Sequence, residues 1–450
     1  MKVEGKVLTM PLKGILWLSF YFVLILLPLG VAAVWPGAAA GRPYLMQFGV
    51  ACGFVAFTIF GFEFSLISKM HSVASAFGMD ALLRFHRWMG IWATVLVLVH
   101  AAALLANGFP LDWVNPLSPD TTWAMRWGLI AVIAVLLLVG LSLARKQLRI
   151  AYEWWQWSHS ILAKLLVLGA LAHLVRFGGF SSEKPMRILL AAYSAFIFGI
   201  SIYFQIVKPI RMWPRPWEVV ENHKDSADTH TLWLKPIHHE GFVFSPGQFA
   251  WLSSGKTPFH KDRHPISMSS PASSELNRAI GFTIKDLGDW SGKIVPKIEV
   301  GSKVWVDGPY GVFTPDREQG PGYVLIGGGV GITPLYSMCQ TFAERRDPRP
   351  VYFFYGSKNV ESLRFRSELN ELQGRMNLTM IYALESPAGE WGGETGYITA
   401  EMIKKHVPPE YASYQYFVCG PGPMMDSIEQ ILPKLGIARS KIHTERFVMV

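Results

Sequence analysis

Six long apolar runs fill the first 208 residues, at about 14–35, 45–67, 87–106, 125–144, 154–175 and 187–207, with short polar gaps between them. Each is long enough to cross roughly 30 Å of hydrocarbon as a helix, so the pattern predicts a six-helix transmembrane bundle over 1–208. Away from the run ends, Glu63 and Lys164 are the charged exceptions. Beyond residue 208 the texture changes to that of a soluble protein. Short alternating stretches at 229–237, 248–253, 280–287 and 303–307, set between Pro and Gly turns, predict a small antiparallel β-barrel over 209–317. From 318 to 450, apolar stretches at 323–326, 351–355, 378–384 and 416–419 alternate with helical ones. That alternation predicts an α/β doubly wound parallel sheet. The fold expected is a multi-domain membrane protein with these three parts.

Charge then orients the chain. Lys2, Lys6 and Lys13 precede the first run, Lys69 and Arg84 follow the second, Arg145, Lys146 and Arg149 the fourth, and Lys208, Arg211 and Arg215 the sixth. By the positive-inside rule both termini are cytoplasmic, in a multi-pass protein of the cell membrane. The 107–122 loop agrees, carrying Asp112 and Asp120 and no Lys or Arg, whereas Arg176, Lys184 and Arg187 run against the rule. The net charge of +9 is largely this bias, so no nucleic-acid partner is inferred. Ala38-Ala39-Ala40 after a basic start also fits a cleaved signal segment, although the run before it is long for one. Three scattered cysteines, Cys52, Cys339 and Cys419, are too few for an iron–sulfur cluster or a disulfide framework.

Histidine spacing supplies the first chemistry. His86 and His100 lie along the third run and His159 and His173 along the fifth, each pair fourteen residues apart. Fourteen residues are close to four helical turns, so each pair faces one side, roughly 21 Å apart along the axis. Two such helices side by side would hold two haems stacked across a bilayer, each taking one axial imidazole from each helix. Any one of these histidines alone also fits a helix-packing role; four at matched spacing fit it poorly. Gly90, one turn after His86, leaves room for a flat macrocycle. Arg84 and Arg87 fit haem propionates as well as they fit the positive-inside bias. Lys164 would meet a propionate or another polar group, or snorkel to the interface.

In the last third, Gly327-Gly328-Gly329-Val330-Gly331-Ile332-Thr333-Pro334 follows a buried strand and opens a helix, where free amides suit a pyrophosphate. This run, with His264-Pro265-Ile266-Ser267, the 282–291 stretch containing Lys285, Gly288, Asp289, Trp290 and Ser291, and Cys419-Gly420-Pro421, resembles the ferric reductase and NADPH oxidase superfamily. There a six-helix haem domain is fused to a ferredoxin-reductase-like FAD and NADPH unit. The resemblance implies that His264 contacts the FAD phosphates, that Pro265 and Ile266 belong to the same flavin motif, and that Ser267 hydrogen-bonds near the flavin N5. It places Lys285, Gly288 and Ser291 along the FAD pyrophosphate, and Gly327, Gly328, Gly329, Gly331 and Thr333 at the nucleotide. Cys419, Gly420 and Pro421 would lie where the nicotinamide meets the flavin, Cys419 as a packing group near the hydride path or as a buried structural thiol. Phe447, in Glu445-Arg446-Phe447, would stack on the isoalloxazine; a core phenylalanine on a last strand is the other reading.

Ser357 and Lys358, after the second parallel strand, offer a hydroxyl and a cation to a ribose 2′-phosphate, which favours NADPH over NADH. Arg364 and Arg366 either add charge there or form a solvated helix face. The cofactor set expected is FAD, two b-type haems and NADPH, with Ser267, Cys419 and Phe447 at the reacting end. Oxidases of higher organisms in this superfamily carry a further histidine where this chain has Leu104, which weakens a dedicated oxygen site. Dioxygen and ferric chelates both remain acceptors, with no obligate protein partner expected. The other reading is a redox-sensing or quinone-linked subunit that needs one. A transporter would need more polar residues along the spans.

Overall fold

The structure, a computed structural model, describes residues 10–446 apart from 36–40, 67–72, 74–75, 111, 113–114, 227, 261–262, 273–274, 276–277 and 388. Lys2, Lys6, the Ala38 to Ala40 site, Lys69 and Phe447 lie outside the described residues. The chain divides into two compact units, Met1–Lys208 and Pro209–Val450.

The first unit consists of six long helices: α1 (Met10–Val34), α2 (Tyr44–Leu66), α3 (Met79–Ala106), α4 (Trp123–Ala144), α5 (Tyr152–Phe177) and α6 (Lys184–Ile202). All six are long and apolar enough to cross a membrane. Their outward side chains are apolar too: Ile15, Val23, Ile133, Leu137 and Ile188 are each about half exposed or more. Water would penalise such a surface, and lipid does not. Inside, Phe54, Phe57, Phe60, Leu82, Val135, Leu166, Val167 and Leu190 form one core. The third helix begins at Met79, earlier than the apolar run suggested, because its first turns are polar and hold an Asp80 to Arg84 pair one turn apart. After α6 a π-helical turn, Tyr203–Val207, closes the bundle.

The second unit contains two six-stranded sheets. The first has the order β4-β3-β6-β1-β2-β5, from β1 (Trp217–Ser226), β2 (Thr229–Pro236), β3 (Phe249–Ser253), β4 (His264–Ser267), β5 (Ile280–Lys285) and β6 (Lys303–Tyr310). All its pairings are antiparallel, and a single bridge between Met268 and Phe282 joins the two edges. Trp217, Leu232, Leu252, Met268, Phe282 and Val304 fill its interior. Strand β1 was not legible in the sequence, because beyond Trp217 and Val219 it is polar and largely exposed.

The second sheet is parallel, in the order β10-β9-β8-β7-β11-β12. Its strands are β7 (Tyr323–Gly328), β8 (Val351–Ser357), β9 (Leu378–Leu384), β10 (Glu394–Thr395), β11 (Gln415–Cys419) and β12 (Ile442–Glu445). Every residue of β7 and β11 is buried, as expected of strands covered on both faces. Helices α7 (Ile332–Arg345) and α8 (Gly422–Lys434) follow β7 and β11 directly.

Candidate functional site

In the first unit, His86 and His159 both lie seven residues after the first residue of their helices, α3 and α5, and His100 and His173 follow fourteen residues later. The equal offsets bring the four rings into two pairs. The ring centroids of His86 and His159 are 6.1 Å apart, and those of His100 and His173 are 6.4 Å apart. Two metal–imidazole bonds of about 2 Å each, with the ring radii added, span such a gap. Among the described residues no three His, Cys, Asp or Glu side chains gather as a bare ion would need. Two facing imidazoles suit a group that brings further donors of its own, as a haem would.

Three of the four rings are also held in one tautomer. Nδ1 of His100 meets the Gly49 carbonyl at 2.8 Å, and Nδ1 of His173 meets the Ala124 carbonyl at 2.8 Å. A carbonyl can only accept, so both Nδ1 atoms donate. Ser142 gives its own proton to the Leu138 carbonyl (2.6 Å) and accepts from Trp155 Nε1 (3.1 Å), so it also accepts from His159 Nδ1 at 3.2 Å. The fourth ring, His86, is hydrogen-bonded through Nδ1 to the buried carboxylate of Glu63. With Nδ1 donating, His100, His159 and His173 keep the Nε2 lone pair for a metal, and His86 does the same when its Nδ1 donates to the Glu63 carboxylate.

Glycines on the neighbouring helices make this approach possible. A Cβ at Gly53 would lie 2.9 Å from His100 Nδ1, and one at Gly128 would lie 2.9 Å from His173 Nδ1. At Gly90, by contrast, a Cβ would meet nothing within 4 Å, which leaves open space beside α3. Lys164 bonds Gln205 Oε1 at 2.9 Å, so the π-helical turn supplies a polar intramembrane partner.

In the second unit, the flavin-motif residues lie on β4, where Leu252 pairs with His264 and Phe249 with Ser267. The His264 ring stacks on Trp290 at 4.0 Å and 16°, and Trp290 Nε1 bonds Ser254 Oγ at 2.9 Å. Pro265 and Ile266 stand half-buried between His264 and Ser267. Ser267 Oγ is buried with no hydrogen-bond partner among the described residues. Lys285 pairs with Asp228 at 3.5 Å. Ser291 closes its own turn, accepting from the Leu287 amide (2.9 Å) and donating to the Gly288 carbonyl (3.2 Å).

The parallel sheet reverses its winding between β7 and β11, and a crevice at such a switch point is where ligands bind in this architecture. Gly327 and Gly328 end β7 there, with Gly329 next, and Cys419 ends β11, with Gly420 and Pro421 following it; Gly327 and Cys419 are paired in register. Gly329 has φ +56°, and a Cβ at Gly331 would strike the Cys419 carbonyl. Thr333 Oγ1, in the first turn of α7, is buried without a hydrogen-bond partner among the described residues. Cys419 is itself fully buried in the apolar core, and burial followed by the nearby Glu445 pushes its thiol well up, so it stays protonated at neutral pH. Ser357 ends β8, and the exposed Lys358 follows it.

Arg364 corrects one sequence expectation. It precedes the helix Arg366–Leu372 and is neither solvated nor offered to a nucleotide. Its Nε donates to Thr229 Oγ1 and its Nη2 to Asp228 Oδ1, each at 2.7 Å, and its amide donates to Tyr355 Oη at 2.8 Å. Asp228, Thr229, Gly49, Ala124, Ser142 and the glycines at 53 and 128 were all missed in the sequence. Small residues four apart, Gly49 with Gly53 and Ala124 with Gly128, were the signal available.

Comparison with known proteins agrees with this layout. Residues 52–170 match the family model described as "Ferric reductase like transmembrane component", and residues 325–430 match "Oxidoreductase NAD-binding domain". The chain joins a ferric-reductase-like transmembrane component to an oxidoreductase NAD-binding domain. The combination is consistent with a ferric reductase or NADPH oxidase type of fusion. Both matched stretches are thus oxidoreductase-type components, one of them transmembrane. The propane 2-monooxygenase reductase component of Rhodococcus jostii is 29% identical over 49% of this chain and 60% of its own length. The flavohemoprotein of Oceanobacillus iheyensis is 29% identical over 52% of this chain and 59% of its own. This ferric-reductase-like chain thus spans about 60% of the length of these curated relatives. Among solved structures, the flavohem-like FAD/NAD binding domain of nitric oxide dioxygenase from Vibrio cholerae aligns with a TM-score of 0.46 at 21% identity, covering 52% of this chain and 98% of that one.

Proposed function

We propose that this oxidoreductase carries electrons from cytoplasmic NADPH, by way of FAD and two b-type haems, to an acceptor on the far side of the membrane. The observation that carries the reading is the set of four intramembrane histidines. They form two ring pairs at 6.1 and 6.4 Å, each ring able to donate through Nδ1 and keep Nε2 for a metal. His86 and His159 would hold the haem nearer the cytoplasm, and His100 and His173 the outer one. FAD, bound to residues 209–317, supplies the conversion of a hydride pair into single electrons, and each haem supplies a one-electron relay. The orphaned Ser267 hydroxyl would hydrogen-bond the flavin, with the His264 ring, fixed by Trp290, beside it. The glycine crevice between β7 and β11 and the α7 N-terminus would take the NADPH pyrophosphate, on residues 318–450. Ser357 and Lys358 favour the 2′-phosphate of NADPH over the bare ribose of NADH.

With His86, His159, His100 and His173 all engaged, no histidine of the two pairs would be left to give way to dioxygen or a ferric chelate, which would accept electrons without being held by these residues. A second reading is supported by the likeness to the propane 2-monooxygenase reductase component: the chain would hand electrons to a protein partner. Purified protein with FAD and NADPH should show flavin and haem reduction under argon. On admission of air it should consume oxygen and form superoxide, or it should reduce ferric chelates. Fast haem reduction that neither acceptor reoxidises would favour the partner-dependent reading. Protein in which NADPH reduces neither flavin nor haem would exclude the proposal.

A further inference from the structure

Three of the four histidine bonds end on neutral groups: the Gly49 and Ala124 carbonyls and the Ser142 hydroxyl. The fourth ends on a carboxylate. Glu63, on α2, is 5% exposed within a membrane span and bonds His86 Nδ1 through Oε2. Its other oxygen, Oε1, accepts from the Tyr21 hydroxyl on α1 at 3.4 Å. An acidic side chain is costly at this depth, so its retention calls for a specific partner, and His86 is that partner.

We infer that Glu63 is a positioning residue that lowers the reduction potential of the haem held by His86 and His159 relative to the one held by His100 and His173. The inference rests on the two-haem reading above. An imidazole that donates Nδ1–H to a carboxylate is a more basic ligand at Nε2 than one bonded to a carbonyl. A stronger donor and a fixed negative charge both stabilise the ferric state over the ferrous one. The electron is then held less tightly at the Glu63 level than at the outer level. The wire acquires a downhill direction from one residue. Tyr21 moderates the effect by drawing charge toward Oε1. Its ring is held edge-on by Phe62 and Phe85 at 6.4 and 5.2 Å, so its hydroxyl can be removed without losing the packing.

The test is a potentiometric titration of the haem absorption bands in full-length protein, resolving two midpoints. In Glu63→Gln the lower midpoint should rise toward the upper one, which stays in place. In Tyr21→Phe the same midpoint should move the opposite way, by a smaller amount. Unchanged lower midpoints in both variants, or movement of the upper midpoint instead, would overturn the inference while leaving the two-haem reading intact. If Glu63→Gln does not retain both haems, the Tyr21→Phe shift decides. Wild-type protein that binds fewer than two haems would overturn the reading beneath it.

Discussion

The histidines themselves were legible in the sequence; what holds them was not. Spacing along one helix sets which residues share a face, so His86 with His100 and His159 with His173 follow from a count. The acceptors sit on other helices, Gly49 and Glu63 on α2 and Ala124 and Ser142 on α4, and a count along one helix cannot give the rotation of its neighbour. Glu63 was visible only as an oddity of charge. The same close packing predicts the cost of a single methyl. In Gly128→Ala the new Cβ would lie 2.9 Å from His173 Nδ1, closer than side chains pack, and the ring must tilt or the helices part. Strain of this kind costs about 1–3 kcal/mol. The variant should lose or weaken the outer haem, read as about half the haem absorbance per protein, with NADPH reduction of FAD unchanged. Gly140→Ala, where a Cβ would meet nothing within 4 Å, is the control and should keep both haems.

At the scale of elements, the longer apolar strands were read from the sequence, whereas β1, β4, β10 and β12 were not. The parallel strands β7, β8 and β9 are continuous apolar runs, whereas β10 and β12 are short, half-buried edge strands. Arg364 was misread for a related reason: its charge suggested a nucleotide contact or a solvated face, and the fold buried it against the turn before β2. Burial pushes the Asp228 carboxyl up, but hydrogen bonds from Arg364 and its charge outweigh that and hold the carboxyl well below the usual carboxylate range. A depressed carboxyl contributes stability that is present above its unfolded value of about 3.9 and is lost as pH falls through the folded value. Asp228 is 44% exposed, so solvent screens much of the pairing. Arg364→Met should therefore lower stability at pH 7 by about 1 kcal/mol, net of that screening. The gap to wild type should narrow as the pH drops below about 4. Thermal unfolding of the full-length protein, followed by flavin fluorescence at pH 7 and at pH 3.5, measures it. A gap that widened in acid would mean that Asp228 is not the group being stabilised.

For the whole molecule, the question is which side of the membrane each end of the reaction occupies. If the six candidate spans among the described residues all cross the bilayer, the start of the first and the end of the sixth face one compartment whatever the bilayer's orientation. Lys13, Arg145, Lys146, Arg149, Lys208, Arg211 and Arg215 flank the apolar runs on that side, and we propose from the positive-inside rule that it faces the cytoplasm. The opposing charges, Arg176, Lys184 and Arg187, are fewer. The proposed electron path would then be vectorial, which sealed vesicles with an impermeant nucleotide test. Inverted membrane vesicles, which expose the cytoplasmic face, should reduce the haems on addition of NADPH. Right-side-out vesicles should do so only after permeabilisation. An impermeant ferric chelate should show the reverse sidedness, accepting electrons from outside right-side-out vesicles loaded with NADPH and not from outside inverted ones. Haem reduction by external NADPH in intact right-side-out vesicles would place the nucleotide half outside the cell and reverse the direction of the wire.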